Sequence, residues 1–163
     1  MIAAASPRVF VAVLLAASAA IVGAALISQY VGGLQPCELC LYQRWPYYAA
    51  IVATAVALLS AGDGAMRGVI MLCAPLFVVS AALAFYHVGV EQHWFAGPTA
   101  CTGSVTGATS IEALKAQLLA RQPVSCDTPA WVLFGVSMAG WNLIASVLIA
   151  VACAGAATRR GRR

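Results

Sequence analysis

Four apolar runs, each about as long as a bilayer crossing, occupy most of this 163-residue chain. They cover about residues 9–27, 41–61, 68–88 and 131–154. A helix needs about 20 such residues to span the hydrocarbon core. No water is available there to bond the backbone, so each run is expected to be helical. Only 9% of residues are charged while 63% are apolar, more apolar surface than a soluble domain of this size can bury. Small residues recur in all four runs and permit close helix contact. The expected fold is an all-α integral membrane protein, a four-transmembrane-helix bundle forming one membrane domain over residues 1–163.

The first run has some marks of a signal peptide. Ala17-Ser18-Ala19 has the form of a cleavage site, and Arg8 that of a leading charge. Apolar character continues to Ile27, beyond the about 7–15 residues of a signal h-region, so the run reads as an uncleaved span. Basic residues set the orientation. With both termini cytoplasmic, Arg8, Arg67 and the C-terminal Arg159, Arg160, Arg162 and Arg163 share the cytoplasmic side, leaving Arg44, Lys115 and Arg121 outside. The arginine cluster beside a span is a topology signal, and no other basic patch supports nucleic-acid binding.

This orientation puts two loops outside, a short one at about residues 28–40 and a long one at about 89–130. Within the long loop, residues 110–121 read as a short amphipathic helix. Ser110 is a candidate N-cap, and Ile111, Leu114, Leu118 and Leu119 share a face. Such a helix either packs on protein or lies on membrane lipid.

Four of the six cysteines fall in these loops. Cys37 and Cys40 form a Cys-Glu-Leu-Cys motif behind Pro36; Cys101 and Cys126 lie far apart in Gly- and Pro-containing segments. A close Cys-x-x-Cys pair makes a small, readily reduced disulfide whose thiols are acidified by nearby cations. Arg44, four residues after Cys40, would share its face on a helix, although Pro46 disfavours helical geometry at Trp45. A metal site would want four clustered ligands and no competing redox partner, so none is expected. Cys101 and Cys126 taken alone read as a structural bridge; beside the first pair they read as its exchange partner. Cys73 and Cys153, inside the third and fourth runs, read as small packing residues. His87 and Glu91 stand one turn apart at the outer end of the third run, followed by His93 and Trp94. Ionisable groups at membrane depth are functional candidates, here for a proton or quinone role.

The run Pro36-Cys37-Glu38-Leu39-Cys40-Leu41-Tyr42-Gln43-Arg44 resembles the signature of the disulfide bond formation protein B (DsbB) family. Trp131, Phe134-Gly135 and Ser137-Met138 resemble that family's entry into its last span. The resemblance covers essentially the whole chain. It implies a quinone-dependent protein-disulfide oxidoreductase of the bacterial inner membrane, with its cysteine loops in the periplasm. Such an enzyme re-oxidises a DsbA-like periplasmic thioredoxin-fold protein and passes the electrons to the quinone pool, ubiquinone or menaquinone. By the same resemblance, Cys101 is attacked by the reduced partner, Cys126 is freed to attack Cys37, and Cys40 becomes the thiolate facing the quinone beside Arg44. His87 and Glu91 are carried over as quinone-side residues. The implied resting pairs are Cys37 with Cys40 and Cys101 with Cys126. Partner oxidants of this kind sit at about −120 mV, a known property of that protein, so the final acceptor must be more oxidising still.

Two other readings compete. The vitamin K epoxide reductase family also joins four spans, a Cys-x-x-Cys and a quinone, but its loop cysteines precede the motif, whereas Cys101 and Cys126 follow it. A non-catalytic membrane subunit with structural disulfides would need only the bridges. A transporter is disfavoured by the lack of repeats and of intramembrane charge.

Overall fold

Helix α1, Pro7–Tyr30, starts where a capping serine precedes a proline. Ser6 Oγ accepts from the Val9 N–H, and Pro7 fills the first helical position. In this computed structural model, residues 6–60, 62–98, 110–112, 115 and 124–160 are described. The remaining elements are α2 (Glu38–Tyr42), α3 (Trp45–Leu59), α4 (Asp63–Glu91), a ribbon of β1 (Val132–Leu133) and β2 (Val136–Ser137), and α5 (Met138–Arg160). The chain is mostly helical, in keeping with an all-α membrane protein. Cys101 and most of the amphipathic segment at 110–121 lie outside the described residues.

Among the described residues, three helices are long and apolar enough to cross a membrane: α1, α4 and the Met138–Thr158 part of α5. The second apolar run, expected to continue from Leu41 to Ala61, is divided. It forms the five-residue α2, then a turn at Gln43 and Arg44, then the 15-residue α3. Pro46 is the cause. It has no N–H to continue the ladder from α2, but it fits the first turn of a new helix, which is where it sits. At about 1.5 Å per residue, α3 alone is too short to cross. The fourth run, expected to be helical from Trp131, opens instead as an antiparallel ribbon pairing Val132 with Ser137 and Leu133 with Val136. Phe134 and Gly135 both have positive φ, 52° and 78°. That is what a two-residue turn matched to strand twist requires. Ser137 then caps α5, its Oγ accepting from the Gly140 N–H at 3.1 Å.

Helix α4 packs most extensively along α5, and α1 packs on α3. Their shared core holds Phe10, Val11, Tyr47, Ile70, Phe77 and Cys153, with Cys73 equally buried. The Tyr47 ring meets Phe77 edge-on, centroids 5.1 Å apart. The outer faces are apolar as well: Leu59, Leu148 and Val151 are all exposed, the surface expected of a chain solvated by lipid. At one end of the bundle, Arg8 Nη2 donates to the Leu58 carbonyl at 3.3 Å. Cys37, Cys40 and Cys126 gather at the other end.

Helix α4 runs on past Val88 and stops in a Schellman motif. The Trp94 N–H reaches the Gly89 carbonyl at 2.8 Å, and the His93 N–H reaches Val90 at 3.0 Å. His93, with φ 60°, takes the left-handed position usually given to glycine. The chain then folds back so that Phe95 lies on Gly89 and stacks on Tyr86 at 5.9 Å. A Cβ at Gly89 would fall inside the Phe95 ring. Gly89→Ala is therefore expected to destabilise the detergent-solubilised protein by about 1–3 kcal/mol. Gly68→Ala, which meets open space, should not lower the unfolding midpoint. Equal midpoints for the two variants in a thermal melt would contradict this packing.

Candidate functional site

Pro36 leads directly into α2, so Cys37 becomes its N-cap, with Sγ accepting from the Cys40 N–H at 3.3 Å. The Cys-x-x-Cys spacing brings the two sulfurs to 3.1 Å as free thiols. From α4, His87 places Nε2 3.5 Å from Cys37 Sγ. One turn on, Glu91 lies with Oε1 3.9 Å from the same Nε2. Both side chains are buried. Ser137, the cap of α5, donates to Glu91 Oε2 at 2.5 Å, fixing the carboxylate from the other side. Cys126 is buried against Cys37, Leu39 and Val90 and is disulfide-bonded, its partner lying outside the described residues.

The electrostatics separate the two thiols. The hydrogen bond from Cys40 pulls the Cys37 thiol down from about 9 to about 4; burial opposes this, and His87 adds to it. Cys40 moves the other way, because it shares its proton with Cys37 and is itself buried; Arg44 acts weakly against that rise. In the dithiol pair the thiolate is therefore Cys37, whereas the family resemblance puts it on Cys40. The sign gives a prediction. Since the shift is downward, the thiolate is present above about pH 4 and is lost as pH falls through that value. In metal-free buffer with a chelator, the reduced protein is expected to show one thiolate's near-ultraviolet absorbance at neutral pH. That signal should titrate away near pH 4 and be missing from Cys37→Ser. A thiolate that forms only above pH 8 would contradict it.

Arg44 falls in the turn between α2 and α3, not on a helical face shared with Cys40. Its Nη1 donates to Gln29 Oε1 of α1 at 2.6 Å. Even so, Arg44, Cys40 and His87 line one cavity of about 410 Å³, together with Trp131, Met138 and Asn142. Its walls are largely apolar, with a few converging polar groups, the usual character of a small-molecule site.

Sequence reasoning missed a buried polar chain behind His87. Gln43 Nε2 is 2.6 Å from His87 Nδ1. An amide nitrogen can only donate, so His87 Nδ1 accepts and the ring proton is on Nε2, facing Cys37. The Gln43 Oε1 accepts from Asn142 Nδ2 at 2.5 Å, and Asn142 Oδ1 accepts from the Tyr47 hydroxyl at 2.7 Å. Tyr47 continues to Ser146 at 3.0 Å, and Ser146 to Ser80 at 2.9 Å. An amide inside an apolar run was the available signal for Asn142. Of the residues singled out in the sequence, Cys37, Cys40, His87, Glu91 and Cys126 meet in one place, and Arg44 joins them across the cavity. His93 is exposed and serves the helix end.

Comparison with known proteins agrees with the motif. The family model described as disulfide bond formation protein DsbB matches residues 7–156. A disulfide bond formation protein B of Ralstonia nicotianae is 30% identical, over 98% of this chain and 99% of its own. One from Stutzerimonas stutzeri is 28% identical, over 91% and 93%. An uncharacterized protein of Rickettsia prowazekii is 29% identical, over 85% and 81%. No solved structure matches.

Proposed function

The chain belongs to the disulfide bond formation protein B family, membrane proteins of disulfide formation, and from that premise we propose that it oxidises a DsbA-like periplasmic partner and delivers the electrons to a membrane quinone. The observation that carries this reading is the cavity shared by Cys40, Arg44 and His87 beside the free Cys37–Cys40 pair. In this reading α3, with the residues that lead into it from Leu41, makes the fourth crossing of a four-helix bundle. The site lies on the periplasmic side of the inner membrane and Arg8, at the opposite end, on the cytoplasmic side, as the positive-inside pattern requires.

The exchange balances as follows. A partner thiolate attacks Cys101, the Cys101–Cys126 bond breaks, and Cys126 leaves as a thiolate. The partner's second thiol displaces Cys101, so the partner departs oxidised. Cys126 attacks Cys37, the Cys37–Cys40 bond breaks, and Cys40 is released. With Cys37 bound to Cys126, the neighbouring charge that held the Cys40 proton is gone, and the Arg44 guanidinium favours its thiolate. Attack of Cys101 on Cys126 restores the outer bridge and leaves Cys37 and Cys40 reduced. The described arrangement, with Cys126 bridged and Cys37 and Cys40 as thiols, corresponds to that stage.

The cavity fits a quinone head group in size, within the about 300–1,000 Å³ of ligand pockets. A bound quinone supplies the two-electron sink. Arg44 would face its oxygens with hydrogen-bond donors and charge, and Trp131 and Met138 would hold the ring. His87 holds a proton on Nε2 at Cys37, kept there by Gln43.

Purified protein with a reduced thioredoxin-fold partner is expected to reduce short-tailed ubiquinone or menaquinone analogues catalytically. If neither analogue is reduced while Cys126 still forms its disulfide, the subunit with structural bridges replaces this reading.

A further inference from the structure

The residues that hold the redox pair also outline a cation-sized hole. Cys37, Cys40, His87 and Glu91 all line a cavity of about 20 Å³. That is room for one water or one ion. The two sulfurs and the His87 nitrogen lie within 4.8 Å of one another. The separate edges are 3.1 Å from sulfur to sulfur, 3.5 Å from Cys37 Sγ to His87 Nε2, and 3.9 Å from His87 Nε2 to Glu91 Oε1. Tetrahedral zinc, with bonds of about 2.3 Å to sulfur and 2.0–2.1 Å to nitrogen, implies edges of about 3.5–3.8 Å. The Cys37–His87 edge already matches that geometry, opening the sulfur pair by well under about 1 Å matches the sulfur–sulfur edge, and Glu91 must approach His87 by about 0.5 Å to join as an oxygen ligand.

We propose that, with the inner pair reduced, Cys37 Sγ, Cys40 Sγ and His87 Nε2 bind one thiophilic divalent cation of the zinc or cadmium class, with Glu91 Oε1 as fourth ligand, and that closing the Cys37–Cys40 disulfide abolishes the site. The donor set, two thiolates, one imidazole and one carboxylate, is the chemistry such ions select. Binding is coordination without electron transfer: the thiol protons leave to solvent as the metal–sulfur bonds form. An occupied site withholds both sulfurs from exchange, so the ion acts as a stop on the reduced enzyme, and a site built from a disulfide offers no thiolate to hold it.

The supporting residues make the idea specific. Ligation through Nε2 moves the His87 proton to Nδ1, which must then find an acceptor. Gln43 can supply Oε1 if its amide turns over, and Asn142 can turn with it, giving the polar chain a second consistent direction. Ser137 already orients the Glu91 carboxylate.

The proposal deepens the redox reading of this site and rests on it for which state binds. Its test needs neither quinone nor partner. The full chain carrying Cys101→Ser and Cys126→Ser, in detergent, retains Cys37–Cys40 as its exchange-competent pair. Titrating the reduced form with Cd²⁺ should give one ion per chain by the near-ultraviolet thiolate-to-metal band, and Zn²⁺ should displace it. The oxidised form should bind none. His87→Ala should weaken binding by more than the about 10–100-fold that loss of an outer supporting group costs, and Glu91→Gln by less. Cys73→Ser and Cys153→Ser should leave it unchanged. No stoichiometric ion in the reduced form, equal binding by the oxidised form, or no effect of His87→Ala would each overturn the proposal. A protein that reduces quinone but takes up no Cd²⁺ refutes this inference alone; one that takes up Cd²⁺ but never reduces quinone refutes the oxidase reading alone.

Discussion

Replacing Cys40 with serine abolishes quinone reduction, by about 10⁴-fold or more, and leaves the Cys37 thiolate free to attack the outer bridge at Cys126, displacing Cys101, so that the chain is arrested with Cys37 bonded to Cys126. Cys126 and Cys37 belong to one buried cluster, so their bond needs no large movement to form. What the variant lacks is the thiol that must re-form the inner disulfide with Cys37 and face the cavity with Arg44. A serine hydroxyl is too weak a nucleophile at neutral pH for that step. Non-reducing peptide mapping of the variant before any partner is added should find the Cys37–Cys126 pair, with Cys101 as a free thiol. A variant that retains turnover, or that shows no such crosslink, would move the acceptor site away from Cys40.

Cys126→Ser stops the cycle one step earlier, with a loss of similar size. Cys101 is then a thiol without a disulfide to offer, so the reduced partner has no bond to exchange with and its electrons do not enter the chain. Cys126 is only 1% exposed, and its neighbours Cys37, Leu39 and Val90 enclose it. An external reductant therefore cannot readily take over its role. Direct chemical reduction of the Cys37–Cys40 disulfide bypasses the missing thiol, so the variant should still reduce quinone when its inner pair is supplied as the dithiol. Loss of activity by that bypass would mean that Cys126 supports the structure of the site and is not a carrier.

The contrast between these cysteines and the rest of the site shows what a sequence can disclose. Cys37, Cys40 and Arg44 lie within eight residues, so their proximity follows from local geometry. His87 and Glu91 lie one turn apart at the end of an apolar run, which marks them without saying what they face. Gln43 and His87 are 44 positions apart, and Gln43 and Asn142 are 99 apart. Their contact depends on how α3, α4 and α5 pack, and no local pattern encodes it. Helix positions were legible where apolar runs are long and caps are conventional, as at Ser6-Pro7. They were less so at Pro46, which restarts a helix, and at Phe134-Gly135, where an aromatic residue accepts a left-handed backbone and turns an apparent helix start into a ribbon. The sequence leaves the role of His93 open; its positive φ and backbone bonds show that it ends α4.

The most direct measurement is a single turnover without partner. Protein with Cys37 and Cys40 reduced and the outer bridge intact is mixed anaerobically with one equivalent of a short-tailed quinone, then quenched with acid and alkylated. One quinol for each Cys37–Cys40 disulfide formed, with Arg44→Met markedly slower than wild type, is the predicted result. Quinone left unreduced while both thiols remain alkylatable would contradict the account at its centre.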